Sequence, residues 1–192
     1  MIEVPSHIRG LIFDCDGTLV DSMPLHMRAW EYAISKAGTV WDYDFFFSKK
    51  GMEERDIVDL YNERFAASLD SAATVRTKHK YFQGHPSEFK PIEQVVAVAR
   101  QYRNALPMAV ASGSTRANVH LELESVGIKD LFTVILTADD GIEPKPAPDI
   151  FLAAAQKIRI QPHLCQVFED GDIGLEAARQ AGMRAVNVRN YI

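Results

Sequence analysis

The stretch Gly10-Leu11-Ile12-Phe13-Asp14-Cys15-Asp16-Gly17-Thr18-Leu19 decides how the chain is read. An apolar run stops at two carboxylates one residue apart, and a glycine and a threonine follow at once. The run is too short to favour a helix, so residues 9–14 read as a buried strand. Asp-x-Asp-Gly then reads as the loop at its C-terminal end. Residues two apart in extended chain point the same way, so both carboxylates would face one small volume. Two like charges there are unfavourable unless a cation neutralises them or one takes a proton. A hard cation with oxygen ligands, such as Mg²⁺, suits that need. On this stretch alone an acidic surface turn would read alike, because Asp-Gly pairs are common turn formers; the rest of the chain decides.

The chain has 192 residues, enough for one domain carrying a substantial insertion. At 47% hydrophobic it can build a real core. A formal net charge of −5 argues against a nucleic-acid or membrane-surface binder, which would want a basic face. An anionic small substrate stays open, since a few local cations can reverse the field in one cleft. Cys15 and Cys165 lie in apolar, strand-like contexts and read as reduced, buried thiols. No apolar run approaches the length of a membrane span, and the first residues lack a basic region followed by an apolar one. The expectation is a cytoplasmic monomer.

Outward from the first strand the pattern turns helical. Leu25, Met27, Trp30, Ala33, Ile34 and Ala37 make an apolar stripe over 24–37, which Asp21 or Ser22 can cap and Gly38 ends. The aromatic-rich segment 40–47 reads as core of a small helical module. Helices follow over 52–67 and 71–82, and Gly84-His85-Pro86 breaks the run. After Pro91 helices and strands alternate: helix 92–102, strand 106–111, helix 115–125, strand 133–137, helix 147–158, strand 164–168, helix 173–181 and strand 184–188. Alternation implies an α/β fold, a Rossmann-like parallel sheet with helices on both faces. The expected domains are a core of residues 1–19 and 86–192 and an inserted all-helical domain of residues 20–85.

In open parallel sheets ligands collect beyond the carboxyl ends of the strands. The expected strand ends and the loops after them carry Asp14 and Asp16, Ser112, Lys145, and Glu169 with Asp170. One hydroxyl, one cation and four carboxylates would converge on one edge. Asp14-Cys-Asp-Gly-Thr, Ala111-Ser-Gly-Ser, Lys145-Pro-Ala-Pro-Asp and Phe168-Glu-Asp-Gly-Asp-Ile-Gly, followed by Ala177-Ala and Ala181-Gly-Met, resemble the four motifs of the haloacid dehalogenase superfamily, in its order. The resemblance spans essentially the whole chain. It is strongest to the small-helical-cap subgroup of β-phosphoglucomutases and sugar-phosphate phosphatases. Pro107-Met-Ala-Val, Cys165-Gln-Val-Phe-Glu-Asp and Ala185-Val-Asn-Val-Arg are most similar to the bacterial fructose-1-phosphatases.

The resemblance implies a role for each residue. Asp14 would be the nucleophile that attacks phosphorus to form an aspartyl phosphate. Asp16 would be general acid and then general base, and its backbone carbonyl would bind Mg²⁺. Asp170 would complete the metal site with Asp14, and Glu169 would ligate the metal or stand just behind it. Lys145 and Ser112, with Gly113 beside them, would bind the phosphoryl oxygens. In the cap, which would close over the sheet edge and exclude water, His26, Gly51, Arg55 and Lys78 would face the substrate. Arg116, just past Ser112, would contact a remote part of it. Ser112 could instead cap the following helix, and the cap cations could belong to solvated helix faces. Where the family has a serine after the Glu-Asp pair, this chain has Gly171, and Asp172 adds a further negative charge.

The implied function is a Mg²⁺-dependent phosphatase for a small phosphorylated sugar, with fructose 1-phosphate the best single guess. A β-phosphoglucomutase would use the same core and differ in whether water or a sugar hydroxyl receives the phosphoryl group. A non-catalytic protein that binds a phosphorylated metabolite is the alternative of another class. The intact set Asp14, Asp16, Ser112, Lys145 and Asp170 argues against it.

Overall fold

The computed structural model describes residues 2–192. In chain order its strands are β1 (Gly10–Phe13), β2 (Met108–Ala111), β3 (Val134–Leu136), β4 (Cys165–Glu169) and β5 (Arg184–Asn187). Its α-helices are α1 (Met23–Lys36), α2 (Tyr43–Ser48), α3 (Glu54–Phe65), α4 (Ser71–Gln83), α5 (Glu93–Tyr102), α6 (Arg116–Ser125), α7 (Asp149–Ile158) and α8 (Asp172–Gln180). Among the described residues no helix is long and apolar enough to cross a membrane. The chain forms two compact units, one made of the chain up to Asp21 together with Phe89–Ile192, the other of Ser22–Glu88.

The first unit carries the predicted Rossmann-like sheet. All five strands are parallel, in the order β3-β2-β1-β4-β5. From β1 the chain steps outward to β2 and β3, then jumps back across β1 to β4 and β5. Because parallel crossovers are right-handed, that reversal puts α5 and α6 on one face and α7 and α8 on the other. The packing agrees. Ile12, Ala109, Ala111, Cys165 and Val167 form one apolar cluster with Ile150, Phe151, Ala154 and Ile158 of α7 and Ala177 and Ala178 of α8. The alternate side chains point the other way. There Phe13 stacks on its register partner Phe168, ring centres 4.5 Å apart and planes 6° off parallel. The reversal also makes the carboxyl end of β1 the switch point of the sheet, where a crevice opens.

The second unit is helical. Met27, Trp30 and Ile34 of α1 pack with Phe45 and Phe46 of α2 and Ile57, Val58 and Tyr61 of α3. The aromatic segment does more than fill this core, since it contains α2 itself. Asp42 caps that helix, accepting from the Phe45 N–H at 2.8 Å. Six residues are too few for periodicity to announce a helix. Other boundaries move slightly. Ser22 stands at the N-cap of α1 without its side chain making a capping bond, and α7 starts at Asp149, once Pro148 has been passed.

Candidate active site

Asp14 follows the last residue of β1, tied to β4 by its N–H donating to the Phe168 carbonyl at 3.0 Å. The chain then turns sharply. The Cys15 carbonyl accepts from Thr18, Leu19 and Val20, and the Gly17 N–H donates to the Val20 carbonyl at 2.8 Å. Gly17 holds φ at +74°, and a Cβ there would lie 2.7 Å from Asp170 Oδ2, so conformation and space both require glycine. Thr18 Oγ1 donates to Asp170 Oδ1 at 3.3 Å, tying the first motif to the last.

Lys145 sits in the loop after β3 between two prolines, and its bond to Pro146 is cis. The ammonium donates to Asp14 Oδ1 at 2.7 Å and to Glu169 Oε2 at 2.8 Å, with its charge 5.0 Å from the centre of the Phe151 ring. Burial alone would lower the lysine pKa, but the Asp14 and Glu169 charges hold it well above the usual value. Glu169 spends its other oxygen on the Gly171 N–H at 2.9 Å. Gly174 makes room for this carboxylate, since a Cβ there would stand 2.3 Å from it.

Asp14, Glu169 and Asp170 each offer an oxygen, all within 4.8 Å of one another. Burial, first, and the charges of Glu169, Asp170 and Asp16 push the Asp14 carboxyl well above its ordinary value, against the pull of Lys145. One ammonium does not balance this group. An all-oxygen donor set with surplus negative charge fits a divalent cation. The Asp16 carboxylate lies outside this trio; its expected metal contact was through its backbone carbonyl.

Asp16 is held from the loop after β2. Ser114 Oγ donates to Asp16 Oδ2 at 2.7 Å, while the Ser114 N–H donates to Ser112 Oγ at 3.0 Å. Ser112 is buried and its own N–H is fixed by the Leu136 carbonyl. It does not cap α6; Thr115 takes that position. Behind the loop lies Glu122 of α6, fully buried, with one carboxylate oxygen within 4.8 Å of the Asp16 carboxylate and Oε2 3.5 Å from Cys15 Sγ. Burial, and then Glu122, push the Cys15 thiol well up, so it stays protonated. Sequence reasoning missed Ser114 as a partner of Asp16 and missed Glu122 altogether. The Ser-x-Ser spacing was the only signal for the first.

The remaining predicted residues fall in different settings. The Arg116 guanidinium donates to Asp140 Oδ1 at 2.7 Å and its N–H to Asp139. The extra Asp172 is exposed at the start of α8 and pairs with Arg189 rather than crowding the carboxylate trio. In the helical unit Gly51 adopts φ +86°, and Arg55 lies exposed in the first turn of α3, its N–H capped by Glu53 at 2.7 Å. Lys78 is not on a solvated face: it is fully buried, bonded to His26 Nδ1 at 2.7 Å and Glu54 Oε1 at 2.5 Å.

Comparison with known proteins supplies the context. Residues 8–182 match the family model described as a haloacid dehalogenase-like hydrolase. Fructose-1-phosphate phosphatase YqaB of Escherichia coli is 37% identical over 180 residues, 94% of this chain and 96% of that protein. The crystal structure of CbbY from Rhodobacter sphaeroides in complex with phosphate superposes with a TM-score of 0.82 at 25% identity, covering 93% of this chain and 84% of the other. That of β-phosphoglucomutase from Clostridium difficile gives 0.80 at 26% identity, covering 95% and 86%. The chain belongs to the haloacid dehalogenase-like hydrolases and is an enzyme of phosphatase type.

Proposed function

We propose that this phosphatase hydrolyses a small sugar phosphate, fructose 1-phosphate before others, with Asp14 as nucleophile. The observation that carries this reading is the pairing of Asp14 with Lys145 beside the Glu169–Asp170 carboxylates at the switch point of the sheet. Asp14 Oδ1 is oriented by Lys145, and its other oxygen would attack phosphorus. A carboxylate needs no deprotonation near neutral pH once cations offset its neighbours. Lys145 and the Ser112 hydroxyl would hold the equatorial phosphoryl oxygens as charge spreads onto them, the main task in phosphoryl transfer. Asp16, held by Ser114, would protonate the departing sugar oxygen and then take a proton from the water that cleaves the aspartyl phosphate.

Asp14, Asp170 and the Asp16 carbonyl would hold Mg²⁺, with Glu169 behind them. The bound ion would offset the repulsion between these carboxylates and a phosphate dianion. The assignment of His26, Gly51, Arg55 and Lys78 to the sugar rests on the family resemblance; that of Gly113 to the phosphate and of Arg116 to a remote part of the substrate rests on their place beside Ser112. The cytoplasmic, monomeric state expected from the sequence goes with this reading. The likeness to a β-phosphoglucomutase structure favours a second reading, transfer to a sugar hydroxyl.

A panel of sugar phosphates assayed with Mg²⁺ and with EDTA tests both. Steady release of inorganic phosphate from fructose 1-phosphate, abolished by EDTA, is the expected result. Conversion of glucose 1-phosphate to glucose 6-phosphate without phosphate release would establish the second reading. Inactivity toward every ester with metal present would overturn both.

A further inference from the structure

The helical unit contains an ion cluster around a buried lysine, and the proposed chemistry gives its carboxylate, Glu54, no role. Lys78, on α4, has no exposed surface. Its ammonium lies 5.6 Å from the centre of the Trp30 ring and 5.1 Å from that of Phe82. A buried ammonium survives only with paired charge and good hydrogen bonds. Glu54, the first residue of α3, supplies the charge, taking Lys78 at Oε1 and His79 at Oε2. Burial alone would raise the Glu54 carboxyl, but Lys78 and then His79 hold it down to about 2. An ammonium only donates, so His26 must accept at Nδ1 and carry its proton on Nε2. The His26 ring stacks on Phe82 with centres 4.2 Å apart.

This arrangement makes Glu54 a bridge. One carboxylate ties the start of α3, and with it the Gly51–Arg55 turn, to two consecutive residues of α4. Two of the three Lys78 donors are spent, on Glu54 and His26. We propose that Glu54 is a positioning residue for sugar selection: through its bond to the buried Lys78 ammonium it fixes the Gly51–Arg55 turn against α4, and that turn meets the sugar. The inference rests on the sugar-phosphatase reading for its ligand, but not for its geometry.

Glu54→Gln keeps the shape and one acceptor and removes the charge. It should raise KM for fructose 1-phosphate about tenfold with kcat changed less than about twofold, as expected when binding rather than chemistry is lost. The ratio of kcat/KM for fructose 1-phosphate to that for p-nitrophenyl phosphate, which has no sugar hydroxyls, should fall about tenfold as well. In a Lys78→Met background Glu54→Gln should add nothing. That uncharged pair also covers the case in which Glu54→Gln alone fails to fold. An equal fall in kcat on both substrates with KM unmoved would overturn the proposal. So would additive effects in the double variant.

Amine acetylation read by peptide mass spectrometry is the arm that does not depend on substrate. Lys78 should be protected while Lys80 is labelled, and protection should be lost in Glu54→Gln. Lys78 labelling as fast as Lys80 in the unaltered protein would refute the buried bridge itself. Protection together with no turnover of any sugar phosphate would instead sink the functional reading.

Discussion

Lys145→Met removes the ammonium that stands 2.7 Å from Asp14 and 2.8 Å from Glu169, and leaves most of the stem in place over Phe151. The side chains of Lys145 and Asp14 are each 9% exposed, so water cannot take over the pairing. Breaking a buried pair by deleting one partner costs about 3–5 kcal/mol. The sign follows from Asp14, whose folded-state pKa is already raised by burial and its carboxylate neighbours. A raised carboxyl contributes stability that is fully present below its unfolded value of 3.8 and is lost as pH rises through the folded value. Deleting Lys145 raises the folded value further, so the deficit against the unaltered protein is largest near neutral pH and closes on acidification.

Urea unfolding in EDTA should therefore show a loss of about 3 kcal/mol near pH 7 that shrinks below about 1 kcal/mol near pH 4. Phosphatase turnover at neutral pH should fall about 10²–10³-fold, the usual cost of a lost transition-state donor. A variant as stable as the unaltered protein at neutral pH, or a deficit that grows on acidification, would refute the electrostatic argument.

Further expectations follow from single contacts. Gly174→Ala puts a methyl group 2.3 Å from the Glu169 carboxylate and should cost about 1–3 kcal/mol by thermal unfolding and lower the affinity for Mg²⁺ by titration calorimetry. Ser114→Ala removes one hydrogen bond to Asp16 and should lower kcat about tenfold on sugar phosphates but much less on p-nitrophenyl phosphate, whose leaving group needs no protonation. Glu54, depressed to about 2 in the folded protein, contributes stability that is present above its unfolded value of 4.5 and lost as pH falls through about 2; circular dichroism should show that acid dependence diminished in Glu54→Gln. Mg²⁺ at about 100 times its Kd should raise the unfolding free energy by about 2.7 kcal/mol near neutral pH, and Asp170→Asn should abolish most of that gain.

The alternation of short apolar runs with helical stripes was enough to read the sheet, because a parallel sheet with both faces covered leaves few other ways to bury such runs. The strand ends were legible for the same reason: Asp14, Ser112 and Glu169 stop their strands in polar residues. Contacts made at long range were not. Ser114 and Asp16 are 98 residues apart, and no local pattern relates them. Glu122 sits in α6, read from sequence only as a helix over 115–125, yet the side chain is fully buried. Lys78 shows the same limit, since its burial is made possible by Glu54, 24 residues earlier. Asp172, a worry in sequence, proves to be a surface partner of Arg189.

The central claim is that Asp14 becomes phosphorylated. The most direct measurement is rapid acid quenching of the enzyme during turnover of radiolabelled fructose 1-phosphate, followed by peptide mapping. The account predicts label on the peptide carrying Asp14, released by hydroxylamine as an acyl phosphate is, and absent in Asp14→Asn. Full turnover by Asp14→Asn, or label mapping to another residue, would contradict it.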